Sequence, residues 1–473
     1  MRALWRGTRR VSAGWGAFFL GLALAVPAGA GGWDQAYGNL SNTSFVNAAT
    51  NVPVVANWAY QLDGEVGTGG PAVDPVSGTI YVGTGGGTLW AFRPDGNVHC
   101  KRLFKETTLS SVPALFPNGD VAVLVTRAVD ATHDQTSLAR VAPNCDLVWE
   151  VDLPTMFRNP SASSGSPKIW TLDGQSFLFV HVRFSNWDLS LPPYSFHELI
   201  VFDEAGQVFA RHPVGEQCIN LHGGGWLTHK EGGRKGSGDL VPTASGPPLF
   251  ETYGWPTEST PAILDTPLHG FATPRAPMVA LTDHHCRSRL EILQFDPAAA
   301  TVPGRLVKRW GDRAEADGVK LSSPAVTPEG LVVFGASCHR VRIYDLVGLT
   351  LKATYDAGEP VMHPPALAPD AWIVNSDHAV HFLKPGTKGL LPTARPQPYP
   401  TAGSAAGLAA SANEVVVPNL DELGIFEHTL QSLAHALTQQ EFHTAKPALT
   451  AEGRLYAVSQ TNEKSILFAF GPP

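Results

Sequence analysis

The feature that most constrains this chain is a three-part motif that returns along most of its length. It is clearest in "SSPAVTPEGLVVFGASCHRVRIYD", Ser322 to Asp345. A short run led by Ser-Pro is followed by a Pro-Glu-Gly turn, an apolar run, and an alternating run that ends in Asp. Gly and Pro at the turns, with Val, Ile, Phe and Tyr between them, read as a three-stranded antiparallel meander. The same order begins at Gly69, Ser110, Ser164, Ser259, His363, Ala405 and Ala445. The first-strand markers are Pro71, Pro113, Pro167, Pro261, Pro324, Pro365, Gly407 and Pro447, separated by 42, 54, 94, 63, 41, 42 and 40 residues. Uninterrupted copies therefore repeat every 40–42 residues, the spacing of propeller blades.

One meander cannot bury both of its faces, but stacked meanders can, so residues 31–473 form one closed unit. A fourth strand follows most copies, as in "DLVWEV" around Trp149 and "LVKRWG" around Trp310. The last copy has none, because the chain stops three residues after Phe470. A strand-like run with no copy before it, Val52 to Leu62, supplies the missing partner and closes the ring, which removes open sheet edges. The expected fold is all-β: an eight-bladed β-propeller of four-stranded antiparallel blades, the last completed by an N-terminal strand. Charged residues make up 16%, below the usual ~25%, and 47 glycines and 39 prolines suit a chain made mostly of turns.

Residues 1–30 read as an export signal. Arg2, Arg6, Arg9 and Arg10 form a basic head, Trp15 to Val26 an apolar run, and Ala28-Gly29-Ala30 a small-residue cleavage site. An ordinary secretory signal fits better than the twin-arginine route that Arg9-Arg10 faintly suggests. No cysteine near the cleavage point offers a lipid anchor, and no other run is long enough to cross a membrane. The expected location is the periplasm or exterior of a bacterium. The first 30 residues hold four arginines and no acid, leaving 30 basic and 42 acidic residues and a formal charge of −12. Such an acidic chain argues against a nucleic-acid partner.

Together with "WDQAYGNLSNTSF" at Trp33, the repeats resemble the PQQ-type, or quinoprotein-like, β-propeller superfamily. The Ser-Pro-Ala-Val opening, the Gly-rich middle turn and the ending "AFRPDG" carry the resemblance. The superfamily includes quinone-dependent alcohol dehydrogenases. It also includes cofactor-free members such as the propeller lipoprotein of the outer-membrane assembly machinery. The enzymes place two adjacent cysteines against the quinone. Here Cys100, Cys145, Cys218, Cys286 and Cys338 stand apart, no calcium ligands or catalytic aspartate can be matched, and no Cys-x-x-Cys-His offers a haem attachment site. No cofactor is expected; the alternative is PQQ with calcium in an oxidoreductase.

In a propeller, the turns between second and third strands share one rim with the connections between blades. The turns holding His284, His285 and Cys286, Cys338 and His339, and Asp377 and His378 would then lie together. Imidazole and thiolate are good zinc or copper ligands, but their spacing is not compact. A Cys286–Cys338 disulfide between neighbouring blades is a stronger reading than a metal, and solvated polar turns stand beside it as an equal alternative. Long insertions reach the same rim: 127–136, then 183–196 with Phe184, Trp187, Tyr194 and Phe196, then the inter-blade insertion 215–255 with His222, Trp226 and His229. Aromatic side chains on loops over a rigid scaffold suit a binding surface, with loop growth or self-packing over the blades as the equal alternative. The His-Gly-Gly-Gly at His222 lacks the Gly-x-Ser-x-Gly elbow of a hydrolase, and the clusters at Gly67 and Gly83 precede strands, not the helix that a phosphate cradle needs. The expected role is an exported binding or scaffold module with a protein, glycan or cell-envelope partner.

Overall fold

The computed structural model describes residues 33–471 except 51–54, 68, 130–133, 155–160, 164, 186–193, 222–224, 230–239, 246–258, 269–272, 274, 284–287, 316–318, 387–388, 394–395, 400–406, 420–421, 429–431, 439–444 and 462–463. Their strands form eight antiparallel sheets, each a blade. Blade 1 runs Ala72–Val73, Ile80–Gly83, Thr88–Phe92 and Val98–Leu103 from the inside outward. Blade 2 follows with Ala114–Leu115, Val121–Ala128, Asp134–Val141 and Leu147–Asp152, and blades 4, 5 and 7 repeat the pattern from Ala262, Ala325 and Ala409. Blade 8 has three strands of its own, Ala448–Leu449, Leu455–Thr461 and Lys464–Phe470. Its fourth is Trp58–Gln61, with Trp58 opposite Ala469 and Gln61 opposite Ile466. The expected closure is therefore made.

Burial follows position in the blade. The second and third strands of blade 1, "IYVG" and "TLWAF", are buried throughout because neighbouring blades cover both faces. The outermost strand, "VHCKRL", exposes most of its residues and alternates at its end. Seven apolar clusters lie at the seams between blades. Phe116, Leu178 and Phe202 join blades 2 and 3, while Val73, Trp90, Tyr456 and Leu467 join blades 1 and 8. The Pro-Glu-Gly turn needs its glycine because Gly330 has φ +84°, which disfavours a side chain.

The Ser-Pro signature has a specific cause. The hydroxyl just before the proline accepts the backbone amide of the preceding blade. Val112 N–H donates to Ser166 Oγ (3.1 Å), Ser166 N–H to Thr260 Oγ1 (3.1 Å), and Thr260 N–H to Ser323 Oγ (2.9 Å). A buried N–H must be paired, so these hydroxyls clasp the innermost strands of blades 2 to 5 into a belt.

The inner strands have a second edge, facing the axis, and the segment from Trp33 to Ser44 occupies it. Amides on blades 1, 2, 4, 5, 6 and 7 donate in turn to its carbonyls: Val73 to Trp33, Leu115 to Asp34, Ile263 to Leu40, Val326 to Ser41, Leu367 to Thr43 and Ala410 to Ser44, all within 2.9 Å. Blade 3 joins through Ile169 N–H to Gln35 Oε1 at 3.2 Å. The buried Lys168 ammonium donates to the carbonyls of Ala36 and Asn39. The Asn42 amide donates to Thr260, Pro261 and Pro324 at 3.0, 3.2 and 2.9 Å. Positive φ at Tyr37, Asn42 and Ser44 gives the segment its tight curvature.

Two blades depart from four strands. Blade 6 carries an extra pairing, Gln397–Pro398 against Ala379–Val380. Blade 3 has seven strands. Its inner strand Lys168–Leu172 and its strands Gln175–Ser185, Tyr194–Phe202 and Val208–Leu221 are joined by Ser161–Ser163, Gly225–His229 and Leu240–Ser245.

Candidate functional site

The rim bearing the blade connections is called the loop rim here; the opposite one is the turn rim. Blade 3 builds the loop rim upward. Tyr194 pairs with Ile219, and Ser161 with Phe184, beyond the ends of the ordinary blade. Leu221 pairs with Gly225 across residues 222–224, and Gly225–His229 pairs in turn with Leu240–Ser245. The stretch expected to be an inter-blade loop is thus partly a β-ribbon continuing the blade. Phe184, Tyr194, Phe196, Trp226 and His229 sit on its strands, while Trp187 and His222 lie outside the described residues.

Below the ribbon, blades 3 and 4 meet in a buried polar group. His197 Nδ1 lies 3.3 Å from His181 Nε2 and 4.0 Å from Asp283 Oδ1, and His181 Nδ1 lies 3.1 Å from the Ser259 carbonyl. Complete burial pushes His181 down to about 4, so it is neutral near pH 7. His181 and His197 did not stand out in the sequence. Both sit in strands, "FVHVRF" and "SFHELI", where the apolar pattern puts a polar residue at a buried position. His284, His285 and Cys286, which follow Asp283, lie outside the described residues.

Blades 5 and 6 bring together the other expected residues. In the turn of blade 5, His339 has φ +71°. Its charge acts on Asp377 in the neighbouring turn, whose carboxyl is raised by burial and by Glu359 against the pull of His378 and His339. Glu359 accepts from the His378 backbone (2.8 Å) and from Ser376 Oγ (3.0 Å), and its other oxygen lies 3.2 Å from His378 Nδ1. Ser376 Oγ continues to His381 Nε2 (2.9 Å), and His381 Nδ1 to Tyr355 Oη (3.0 Å). Burial pushes His381 down to about 4. Both of its ring nitrogens are therefore engaged with protein oxygens, which leaves neither for a metal.

Cys338 is a free thiol, so the expected bridge to Cys286 is not made here. The reason is where it packs: it sits against the apolar seam of blades 4 and 5, with Trp310 and Val319, beside Glu315. Burial and then the Glu315 charge raise the thiol above its ordinary value, which keeps it protonated and a poor metal ligand. Burial acts to raise Glu315, but Arg342 (2.5 Å) and Arg340 (3.2 Å) outweigh it and hold the carboxylate ionised.

A disulfide does occur where sequence reasoning placed none. Cys100, on the outer strand of blade 1, is bonded to Cys145, in the last turn of blade 2, with Cα atoms 5.9 Å apart. Aligning the repeats in register would have exposed it, since an outer strand lies beside the outer turn of the next blade.

These donor sets bear on the quinone and calcium that the fold brings to mind. Among the described residues no group of three His, Cys, Asp or Glu side chains is arranged to hold a metal. The disulfide joins residues 45 apart at the periphery, one on the outer strand of blade 1 and one in the last turn of blade 2, where it cannot cap a ring on the axis. The described residues do not fit that cofactor.

No family model and no curated protein matches the chain. Solved structures do. A europium-containing methanol dehydrogenase is 10% identical, with 93% of this chain and 98% of that one covered and a TM-score of 0.57. A quinohemoprotein alcohol dehydrogenase from Comamonas testosteroni is 11% identical, with 95% and 82% covered and a TM-score of 0.57. A computationally designed protein, Ika8, is 10% identical, with 86% and 98% covered and a TM-score of 0.51. At such identities the match speaks to fold alone. The chain is an eight-bladed β-propeller with the architecture of the quinoprotein alcohol dehydrogenases.

Proposed function

We propose that this protein is an exported, non-catalytic propeller that binds a protein, glycan or cell-envelope partner through its loop rim. The observation that carries this reading is the blade 3 ribbon: lengthened frame strands bearing Phe184, Tyr194 and Phe196, and an added strand bearing Trp226 and His229, gather on one rim. A rigid ring holding an enlarged, aromatic-bearing edge suits recognition. Around it, burial at the seams keeps His181 and His381 neutral and the Cys338 thiol protonated, which suits a scaffold better than a redox centre. Among the described residues no helix is long and apolar enough to cross a membrane. The basic-headed apolar run at residues 1–30 supports export.

Three measurements test this. Photo-crosslinking from position 226 in intact cells should trap an envelope component that crosslinking from Val98, on the outer strand of blade 1, does not. Equal yields would remove the loop rim as the contact surface. Purified protein given calcium and PQQ should show no dye-linked alcohol oxidation; turnover would replace the reading with an oxidoreductase. Chain isolated from the periplasm should begin near Gly31, and a cytoplasmic chain retaining Met1 would overturn export.

A further inference from the structure

The turn rim carries a cavity that the loop-rim reading does not use. It lies between blades 1 and 2 and has a volume of about 540 Å³. Four turns and one outer strand frame it: Asp74–Thr79 and Arg93–Asn97 of blade 1, the Asn118–Gly119 turn and the turn at Pro143 of blade 2, and the strand bearing His99. A second cavity of about 240 Å³ flanks the same Asp74 turn on its other side, toward blade 8.

The floor is Tyr81, only 2% exposed, on the second strand of blade 1. Its phenol has no hydrogen-bond partner among the described residues. The hydroxyl is not sealed from solvent: it lines the open cavity, where a ligand oxygen can accept from it in place of water. The Asp74 and Asp120 carboxylates lie near enough to push its pKa up to about 12, behind the larger effect of burial, so it remains a donor at any ordinary pH. Asp120 is held by Arg140 at 2.6 Å and is not available to a ligand. Asp74 and Asp95 supply acceptors, and the exposed Arg93 and His99 supply donors that no described side chain uses. Pro94 and Pro143 present flat apolar faces.

Two carboxylates against one guanidinium make a poor site for an anion. Donors and acceptors interleaved with apolar faces match a neutral sugar, whose vicinal hydroxyls both donate and accept while its C–H face packs on rings. We infer that the cavity between blades 1 and 2 is a binding site for a neutral sugar unit, with Tyr81 donating to a ring or hydroxyl oxygen from below and Arg93, Asp74 and Asp95 ordering the hydroxyls above.

The test uses the full mature chain and calorimetric titration with maltohexaose, cellohexaose and, separately, inorganic phosphate. Saturable binding of at least one sugar is expected, with none of phosphate. Tyr81→Phe should weaken it about three- to tenfold, the loss of one hydrogen bond. Arg93→Ala, an exposed change that removes only a charge acting on the exposed Asp95, should weaken it similarly without moving the melting temperature. Neither sugar binding, phosphate binding in their place, or both variants binding like the parent would each overturn the assignment. The blade 3 ribbon is on the other rim, so a variant lacking it should bind sugar unchanged.

Discussion

Blade 5 and blade 3 start from the same motif and end very differently. Blade 5 is four strands in a 41-residue step, while blade 3 spends a 94-residue step on six and takes a seventh from just before it. Yet their frames are built alike: a residue with a hydroxyl precedes the first proline and clasps the neighbouring blade, and buried Phe and Val fill the seams. What blade 3 adds is stacked above the loop rim, on strand ends that the seams do not need. The frame therefore carries stability, and the addition is free to carry recognition.

The comparison is broken most severely by removing what closes the frame. A chain beginning at Asp63 lacks both the axial segment and the fourth strand of blade 8; it should lose its cooperative melt by circular dichroism, and a normal melt would mean that closure is dispensable. Next comes the joint between blades 1 and 2. The Cys100→Ser, Cys145→Ser double variant should lose about 4 kcal/mol in urea unfolding, the chain-entropy effect of a 45-residue loop. A loss below about 1 kcal/mol would show that the seam needs no bridge.

Acid should find the histidines. His181 of blade 3 and His381 of blade 6 are both held neutral by burial, at about 4. In the unfolded chain they take up protons near pH 6.5, so their contribution is complete above 6.5 and is lost as pH falls toward 4. Each costs roughly 3 kcal/mol over that window. Asp34 opposes them. Its carboxyl is raised to about 6 by burial, so its contribution is present below 3.8 and lost as pH rises to about 6. Two histidines outweigh one aspartate, and urea midpoints should fall between pH 7 and 4.5. In a His181→Asn, His381→Asn variant the fall should shrink or reverse. Smaller still is the belt: Thr260→Val leaves Ser166 N–H unpaired and should cost about 1–3 kcal/mol, while Thr171→Val, on the inner strand of blade 3 but outside the belt, should cost less. The smallest effect belongs to the ribbon. Replacing residues 222–239 with a Gly-Ser turn should shift stability by under about 1 kcal/mol while abolishing a crosslink placed at position 194 on the same rim. A large loss would place the ribbon in the frame after all.

How much of this could be read from the residues depends on the range of the contact. The blades were legible because each strand's partner lies within about 10 residues, and because Ser-Pro, Gly and the apolar runs mark every turn. Closure by Val52–Leu62 was legible as a strand without a meander. The path of Trp33–Ser44 was not, because irregular backbone that hydrogen-bonds seven inner strands has no periodicity of its own. The Cys100–Cys145 bridge escaped because the rim argument compared loop-rim turns and ignored the outer strands. Cys338 was assigned to the right turn, but turn position says nothing of side-chain direction, and the thiol faces the blade seam. The sugar cavity sits on the turn rim, where short, ordinary turns gave no signal of insertion.

The way the ring is shut has a consequence for biogenesis. The strand that completes the last sheet, Trp58–Gln61, precedes every blade, while the strand it pairs with, Lys464–Phe470, belongs to the last one. A growing polypeptide can stack its early sheets as they emerge, but it cannot lock the wheel until Lys464–Phe470 has been synthesised. Shorter chains stay open, and rigidity arrives only with that strand.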